Sequence, residues 1–387
     1  MIFIIDFGLY SLHKNRIMNT RLYLIVIWSL TFQLVQTQAS YNDQVHTVGF
    51  SSEIKIDKSR PSTADDNFGR IIQINIWYPG NFKSGATRID FSDYLKLRGS
   101  ELGINKPNEN YKKITNKYFK WPISQGANPL LIDSIMSVEQ PMKALENIDF
   151  KPGKHPVILL MHGSAVDFAF LGEALAEQGY IAVNVPIQGY RQEALNVNSI
   201  GMETEIRDFE FAMSVLSNNK ALDLNTITAL GFSFGGQSAI GLACRNPKVK
   251  TVISYDGGIG DKFGARLINE SHFCSTENIS ASVLHIYDNS YSGVYLDKIR
   301  SFVYADRTLI GLKNIKHWHF TSFGHLVSKY PNLFGDSKFD INGYKTILKI
   351  TANYLYSKEK GANLISSFKD KFELINDAEF HKGIKTK

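Results

Sequence analysis

A serine bracketed by glycines two residues to either side stands at Gly231-Phe232-Ser233-Phe234-Gly235. It follows a short apolar run, Thr226–Leu230, and precedes a helical pattern over Phe234–Cys244. A strand that turns at once into a helix leaves the serine on a tight, strained turn, where a side chain on either glycine would meet the neighbouring chain. Such a serine is a candidate nucleophile, provided a base lies within hydrogen-bond reach and a carboxylate orients that base. The same turn aims the Phe234 N–H, at a helix N-terminus, toward the place where an oxyanion would form. A second donor is expected from the loop after the first central strand, Leu160-Met161-His162-Gly163-Ser164. Within it the Ser164 N–H is the expected donor and His162 the residue that shapes the loop.

In a fold of this kind the acid and then the base follow the nucleophile along the chain. Three histidines lie late enough: His317, His319 and His325, all downstream of a short extended segment, Arg307–Gly311. Spacing does not separate them. Two carboxylates stand at the ends of apolar runs: Asp256 after Thr251–Tyr255, and Asp288 after Val283–Tyr287. Aspartate also favours such positions merely as a turn-former, and position alone leaves the two even. Phe232, Phe234, Trp318, Phe320 and Phe323 bring aromatic surface near these residues, either as core or as a binding wall. No group of Cys, His and carboxylates has metal-ligand spacing, and the chemistry outlined needs neither metal nor cofactor.

The elements that must position these residues alternate. Val157–Met161 is a continuous apolar run, as expected of a strand buried on both faces. A helical stretch over 168–178, a strand over 180–185, a helix over 203–217, the strand and helix around Ser233, and the strands 249–255 and 281–287 follow. This alternation predicts an α/β fold with a mostly parallel central sheet and helices on both faces. Ahead of it, 45–56 and 71–78 read as two strands of an antiparallel N-terminal edge. Residues at about 80–150 are polar and irregular, with a few helical patches, and read as an insertion or cap. A lid-like loop is expected at about 257–280, and a closing helix over 341–357.

Residues 22–35 form an apolar run preceded by Arg21 and followed by Thr37-Gln38-Ala39, the pattern of a signal peptide over 1–39, with Met18 an alternative start. The run is shorter than the roughly 20 residues of a stable membrane span, so no span is expected after its removal. The mature chain, 40–387, is read as one exported domain, periplasmic or secreted. Its two cysteines, Cys244 and Cys274, are too few for a disulfide framework but could pair with each other. Hydrophobic residues at 43% and charged residues at 21% exclude a disordered or fibrous chain. A net charge of +6 without a basic stripe gives no footprint for nucleic acid.

The elbow Gly231-Phe-Ser-Phe-Gly-Gly236, the step Tyr255-Asp256-Gly257 and the segment His317-Trp-His-Phe-Thr-Ser-Phe323 together resemble the platelet-activating-factor acetylhydrolase branch of the α/β-hydrolases and its dienelactone-hydrolase-like relatives. Ile74-Asn-Ile-Trp-Tyr-Pro79 and Leu160-Met-His-Gly163 look like that branch too. The resemblance spans about 70–330. It implies Asp256 as the acid and His317 as the base, with Phe320 and Phe323 in register, and leaves Asp288 and His319 as the alternatives. Ser322 stands where that branch usually carries Asp. The implied activity is hydrolysis of a small-molecule, lipid or carbohydrate ester through an acyl-enzyme. Two other readings share the pattern: a serine peptidase of the prolyl-oligopeptidase type, which usually carries a large additional N-terminal domain, and an inactive binding relative, which would lack a triad member.

Overall fold

A strand with water on neither face is apolar throughout its buried run, and the central strand β6 (His155–Met161), apolar from Pro156 on, shows what that requires of its surroundings. Its Ile158 and Leu160 enter one buried cluster, while Val157, Leu159 and Met161 enter another on the opposite face. The computed structural model describes residues 45–61, 69–101, 111–191, 194–272, 274–276, 279–335, 338–356, 362–369 and 371–384. The expected signal segment, 1–39, lies outside the described residues.

The sheet runs in the order β12-β11-β10-β9-β8-β6-β7-β2-β1-β4-β3. Its parallel centre consists of β7 (Ile181–Asn184), β6, β8 (Leu222–Phe232), β9 (Val249–Tyr255), β10 (Ser282–Asp288) and β11 (Arg307–Leu312). Two long N-terminal strands, β1 (Thr47–Asp57) and β2 (Arg70–Asn81), pair antiparallel, and β2 joins β7 antiparallel. At the far side β12 (Ile375–His381) closes the sheet antiparallel to β11.

The segment read as an irregular cap is more ordered than its polarity implies. It holds β3 (Thr87–Asp90), three helices α1 (Phe91–Ser100), α2 (Tyr111–Ser124) and α3 (Pro129–Met136), then β4 (Pro141–Glu146) and β5 (Asp149–Phe150). β3 and β4 prolong the sheet beyond β1, so the N-terminal pair is not its edge. Phe91, Tyr94, Leu95 and Phe119 of its helices are buried in the same cluster as α4 (Ala165–Glu177). That face is completed by α9 (Ser322–Lys329), α10 (Gly343–Tyr356) and α11 (Ala362–Lys369).

The opposite face carries α5 (Ser199–Leu216), α6 (Gly235–Arg245), α7 (Lys262–Glu270) and the short α8 (Asp297–Arg300). The stretch 257–280, read as a lid, is therefore part of a layer: Ile259, Leu267 and Ile268 are buried, because a strongly amphipathic α7 has to cover its apolar stripe. Cys274 beyond α7 forms a disulfide with Cys244 of α6. Among the described residues no helix is long and apolar enough to cross a membrane.

One buried charge pair ties the antiparallel strands to the helical layer. The Arg70 guanidinium donates to both carboxylate oxygens of Asp208 on α5, at 2.7 and 2.6 Å, and to the Gly189 carbonyl at 2.7 Å. Such a fork satisfies a desolvated carboxylate, and removing one partner leaves the other buried and unpaired. Arg70→Ala leaves Asp208 with Arg60 alone, 2.9 Å away, and is expected to cost about 3 kcal/mol of unfolding free energy, read from urea denaturation; a loss of under about 1 kcal/mol would mean that Arg60 satisfies Asp208 by itself.

Candidate active site

The Gly231–Gly235 turn packs so tightly that a Cβ on Gly231 would sit 2.0 Å from the Gly235 carbonyl oxygen. A Cβ on Gly235 would meet the Met161 carbonyl oxygen at 2.6 Å. Between them Ser233 adopts φ of +53°, a left-handed conformation that costs a non-glycine residue roughly 1–3 kcal/mol. Three backbone hydrogen bonds hold it there. Its N–H donates to the Tyr255 carbonyl at 3.0 Å, and its own carbonyl accepts from Gly236 at 3.0 Å and Gly258 at 2.8 Å. Helix α6 starts directly after Phe234.

Asp256 is also left-handed, at φ +43°, just past the end of β9. Its N–H donates to the Ile286 carbonyl at 2.7 Å, and one carboxylate oxygen accepts the Asp288 amide at 3.0 Å. The other accepts from His317 Nδ1 at 2.6 Å. Burial pushes the Asp256 pKa up, but the hydrogen bond and charge of His317, the Asp288 amide and His285 outweigh it, so the group is held below the usual carboxylate range. An acid of this kind stays ionised against the imidazole and fixes its tautomer. Ser233, Asp256 and His317 line one cleft of about 260 Å³ together with Asp261, Asp288 and Tyr291.

The remaining candidates are engaged elsewhere. The Asp288 carboxylate accepts from the Ser290 amide and hydroxyl at 2.8 and 2.6 Å, so that residue meets Asp256 only through its backbone. His319 is fully buried: its Nδ1 accepts from the Lys316 amide at 2.8 Å and its Nε2 donates to the Asp340 carbonyl at 3.0 Å. His325 stacks on Phe170 at 3.7 Å within the helical layer. Of the expected oxyanion donors, Phe234 stands at the head of α6, whereas the Ser164 amide is turned away. It donates to Asp167 Oδ2 at 2.8 Å, because Ser164 is the N-cap of α4 and Asp167 closes a capping box.

Two features lay outside the sequence reading. Trp121 of α2 remains 43% exposed although its ring stands edge-on to His317, with centroids 6.1 Å apart. Phe232 tilts against the same imidazole at 4.6 Å. The second feature is a buried carboxylate beneath the elbow. Glu205 of α5 accepts from Ser238 Oγ at 2.6 Å, and its Oε2 lies 3.9 Å from His162 Nδ1.

Comparison with known proteins agrees with this architecture. Residues 143–300 match the dienelactone hydrolase family. A ferulic acid esterase from Streptomyces cinnamoneus superposes with a TM-score of 0.55 at 17% identity, over 82% of this chain and 90% of that one. No curated protein sequence matches the chain.

A serine raised on such an elbow beside an oriented imidazole reacts with electrophiles that ordinary serines ignore. A fluorophosphonate probe is therefore expected to attach to Ser233, found by peptide mass spectrometry, and to leave Ser233→Ala unlabelled. Labelling at another residue of the wild type would disprove the assignment.

Proposed function

We propose that this chain, an α/β-hydrolase of dienelactone-hydrolase-like build, is a serine hydrolase of carboxylic esters that works through an acyl-enzyme. The observation that carries the reading is the 2.6 Å contact of His317 with a half-buried Asp256 in the cleft lined by Ser233. His317 takes the Ser233 hydroxyl proton as the oxygen attacks the ester carbonyl. The developing oxyanion is met by the Phe234 N–H at the positive end of α6, a donor worth ~3 kcal/mol in such sites. The proton passes to the departing alcohol, and water then repeats the sequence to release the acid. Asp256 keeps the imidazole in the tautomer that can accept this proton. With Ser164 committed to its helix cap, the α6 terminus carries the oxyanion in this scheme.

The ring surface supports an apolar, planar acyl group as the preferred substrate. Trp121 and Phe232 flank His317, and an indole left exposed beside a reacting imidazole offers a stacking face. The ferulic acid esterase that shares the fold is named for an acid of that kind. Export is part of the same proposal, supported by the signal-like run at 22–35 and the Cys244–Cys274 disulfide, since such bonds persist in oxidising compartments.

Purified mature protein should cleave aryl-acyl and short-chain esters and leave the matching amides intact. Asp256→Asn should lower kcat by about 10⁴ with the fold preserved by circular dichroism, as expected when the base is left in the wrong tautomer. Amide turnover comparable to ester turnover would favour a peptidase instead. Trp121→Ala should raise KM about tenfold for an aryl-acyl ester and less than about twofold for the acetate of the same alcohol, the worth of one stacked ring. Equal effects on both esters would remove Trp121 from the acyl site.

A further inference from the structure

We propose that Glu205 is a positioning residue for this reaction: from beneath the elbow its carboxyl group couples His162, on the loop after β6, to Ser238, on the helix that follows Ser233. The inference rests on the ester-hydrolase reading and adds a residue that the catalytic scheme does not use.

Glu205 is buried on α5, and its Oε2 accepts the Ser238 hydroxyl at 2.6 Å. The same oxygen lies 3.9 Å from His162 Nδ1. Two atoms of this contact, Glu205 Oε1 and His162 Nδ1, are buried without a hydrogen-bond partner. Native proteins leave few such atoms unpartnered, so two of them on neighbouring buried side chains call for an explanation. The groups around it supply no compensating cation. His162 is driven down to about 3, by burial and then by His317, so it is neutral. Asp208, on the same helix, is already taken by Arg70 and Arg60. Burial accordingly pushes Glu205 up to about 7, opposed by the Ser238 hydrogen bond, reinforced by Asp208 and opposed again by the His162 backbone N–H.

Geometry makes this contact matter for the chemistry. His162 holds φ of +67° between β6 and α4, and its ring lies 5.3 Å from that of Phe234, the oxyanion donor of the proposed scheme. Ser238 is one turn further along α6. A neutral Glu205 accepts from Ser238, and a closing of the 3.9 Å gap by about 1 Å would let its O–H reach His162 Nδ1 and bridge the two walls between which the substrate carbonyl must fit. Ionisation removes that proton and leaves an uncompensated charge under the elbow, which the chain relieves by letting the walls move apart. The neutral form is the competent one, so activity should fall as pH rises through the Glu205 titration.

The test compares Glu205→Gln and Glu205→Leu with wild type over pH 5.5–9, using an aryl acetate and counting active sites with a fluorophosphonate. Gln keeps the shape and both hydrogen-bonding ends but cannot ionise. Its kcat should stay within about threefold of wild type at pH 6 and lose the alkaline decline, whereas Leu should lower kcat about tenfold or more at every pH with KM nearly unchanged. A purely structural role would lower thermal stability and the count of active sites while leaving kcat per active site and its pH profile as in wild type; that outcome overturns the proposal. Should the Leu variant fail to fold, an alkaline decline in Gln identical to wild type overturns it alone. A wild type that neither cleaves esters nor takes the probe would instead defeat the hydrolase reading itself, and this inference with it.

Discussion

Everything at the site follows from the close approach of Gly231 and Gly235. A backbone that leaves a central strand and enters a helix within four residues has no room for side chains on the inner side, and only a left-handed residue between them completes the turn. The cost of that conformation is offset by the sheet, because the Ser233 amide and carbonyl are bound to the Tyr255–Gly258 segment of the next strand end. That same segment presents Asp256. Ser233 and Asp256 are thus fixed by one set of backbone hydrogen bonds, and His317 reaches Asp256 from the loop after β11.

The loop on the other side of the elbow is held by a buried row of amides. Ser52 donates to Asn75, Asn75 donates to Asn184, and Asn184 donates to the Leu160 and Gly163 carbonyls, at 2.7, 3.1, 3.0 and 3.2 Å. A buried polar row of this kind is tolerable only when its members are paired, and when paired it specifies one arrangement. The Gly163–Ser164 peptide is consequently gripped at both ends, its carbonyl by Asn184 and its amide by Asp167. It cannot swing toward an oxyanion without breaking one of them.

Apolar continuity makes the parallel centre legible where strands are buried on both faces: β6 carries an unbroken aliphatic run, and β9 and β10 keep enough apolar residues around Ser254 and His285 to stand out in the sequence. The elbow was legible for the same reason, its glycines being sterically obligatory. What spacing alone left open was which histidine and which aspartate meet. That depends on loop paths between strand ends, and His317, His319 and His325 differ there only by the direction each takes. Ser164 was misread although Ser164-Ala-Val-Asp167 has the spacing of a helix cap, and a cap consumes the amide that an oxyanion would need. Trp121 carries no such signal, because it stands off the buried stripe Ile114, Tyr118, Phe119 and Pro122 of α2, where an exposed aromatic has no period to mark it.

The insertion joins both halves of the site, and this coupling gives it meaning beyond cover. From the end of α1, Glu101 accepts the Ser164 hydroxyl at 2.7 Å and Arg98 donates to the same oxygen at 2.9 Å, so the insertion braces the loop after β6. From α2, Trp121 stands against His317, so it also braces the loop after β11. Burial raises the Glu101 carboxyl to about 7, against the pull of Arg98 and Ser164, which makes it a second acid near the site whose charge is costly. The parallel sheet fixes where Ser233 and Asp256 stand; Arg98, Glu101 and Trp121 of the inserted segment, which sequence patterning describes least well, touch the two flanking loops.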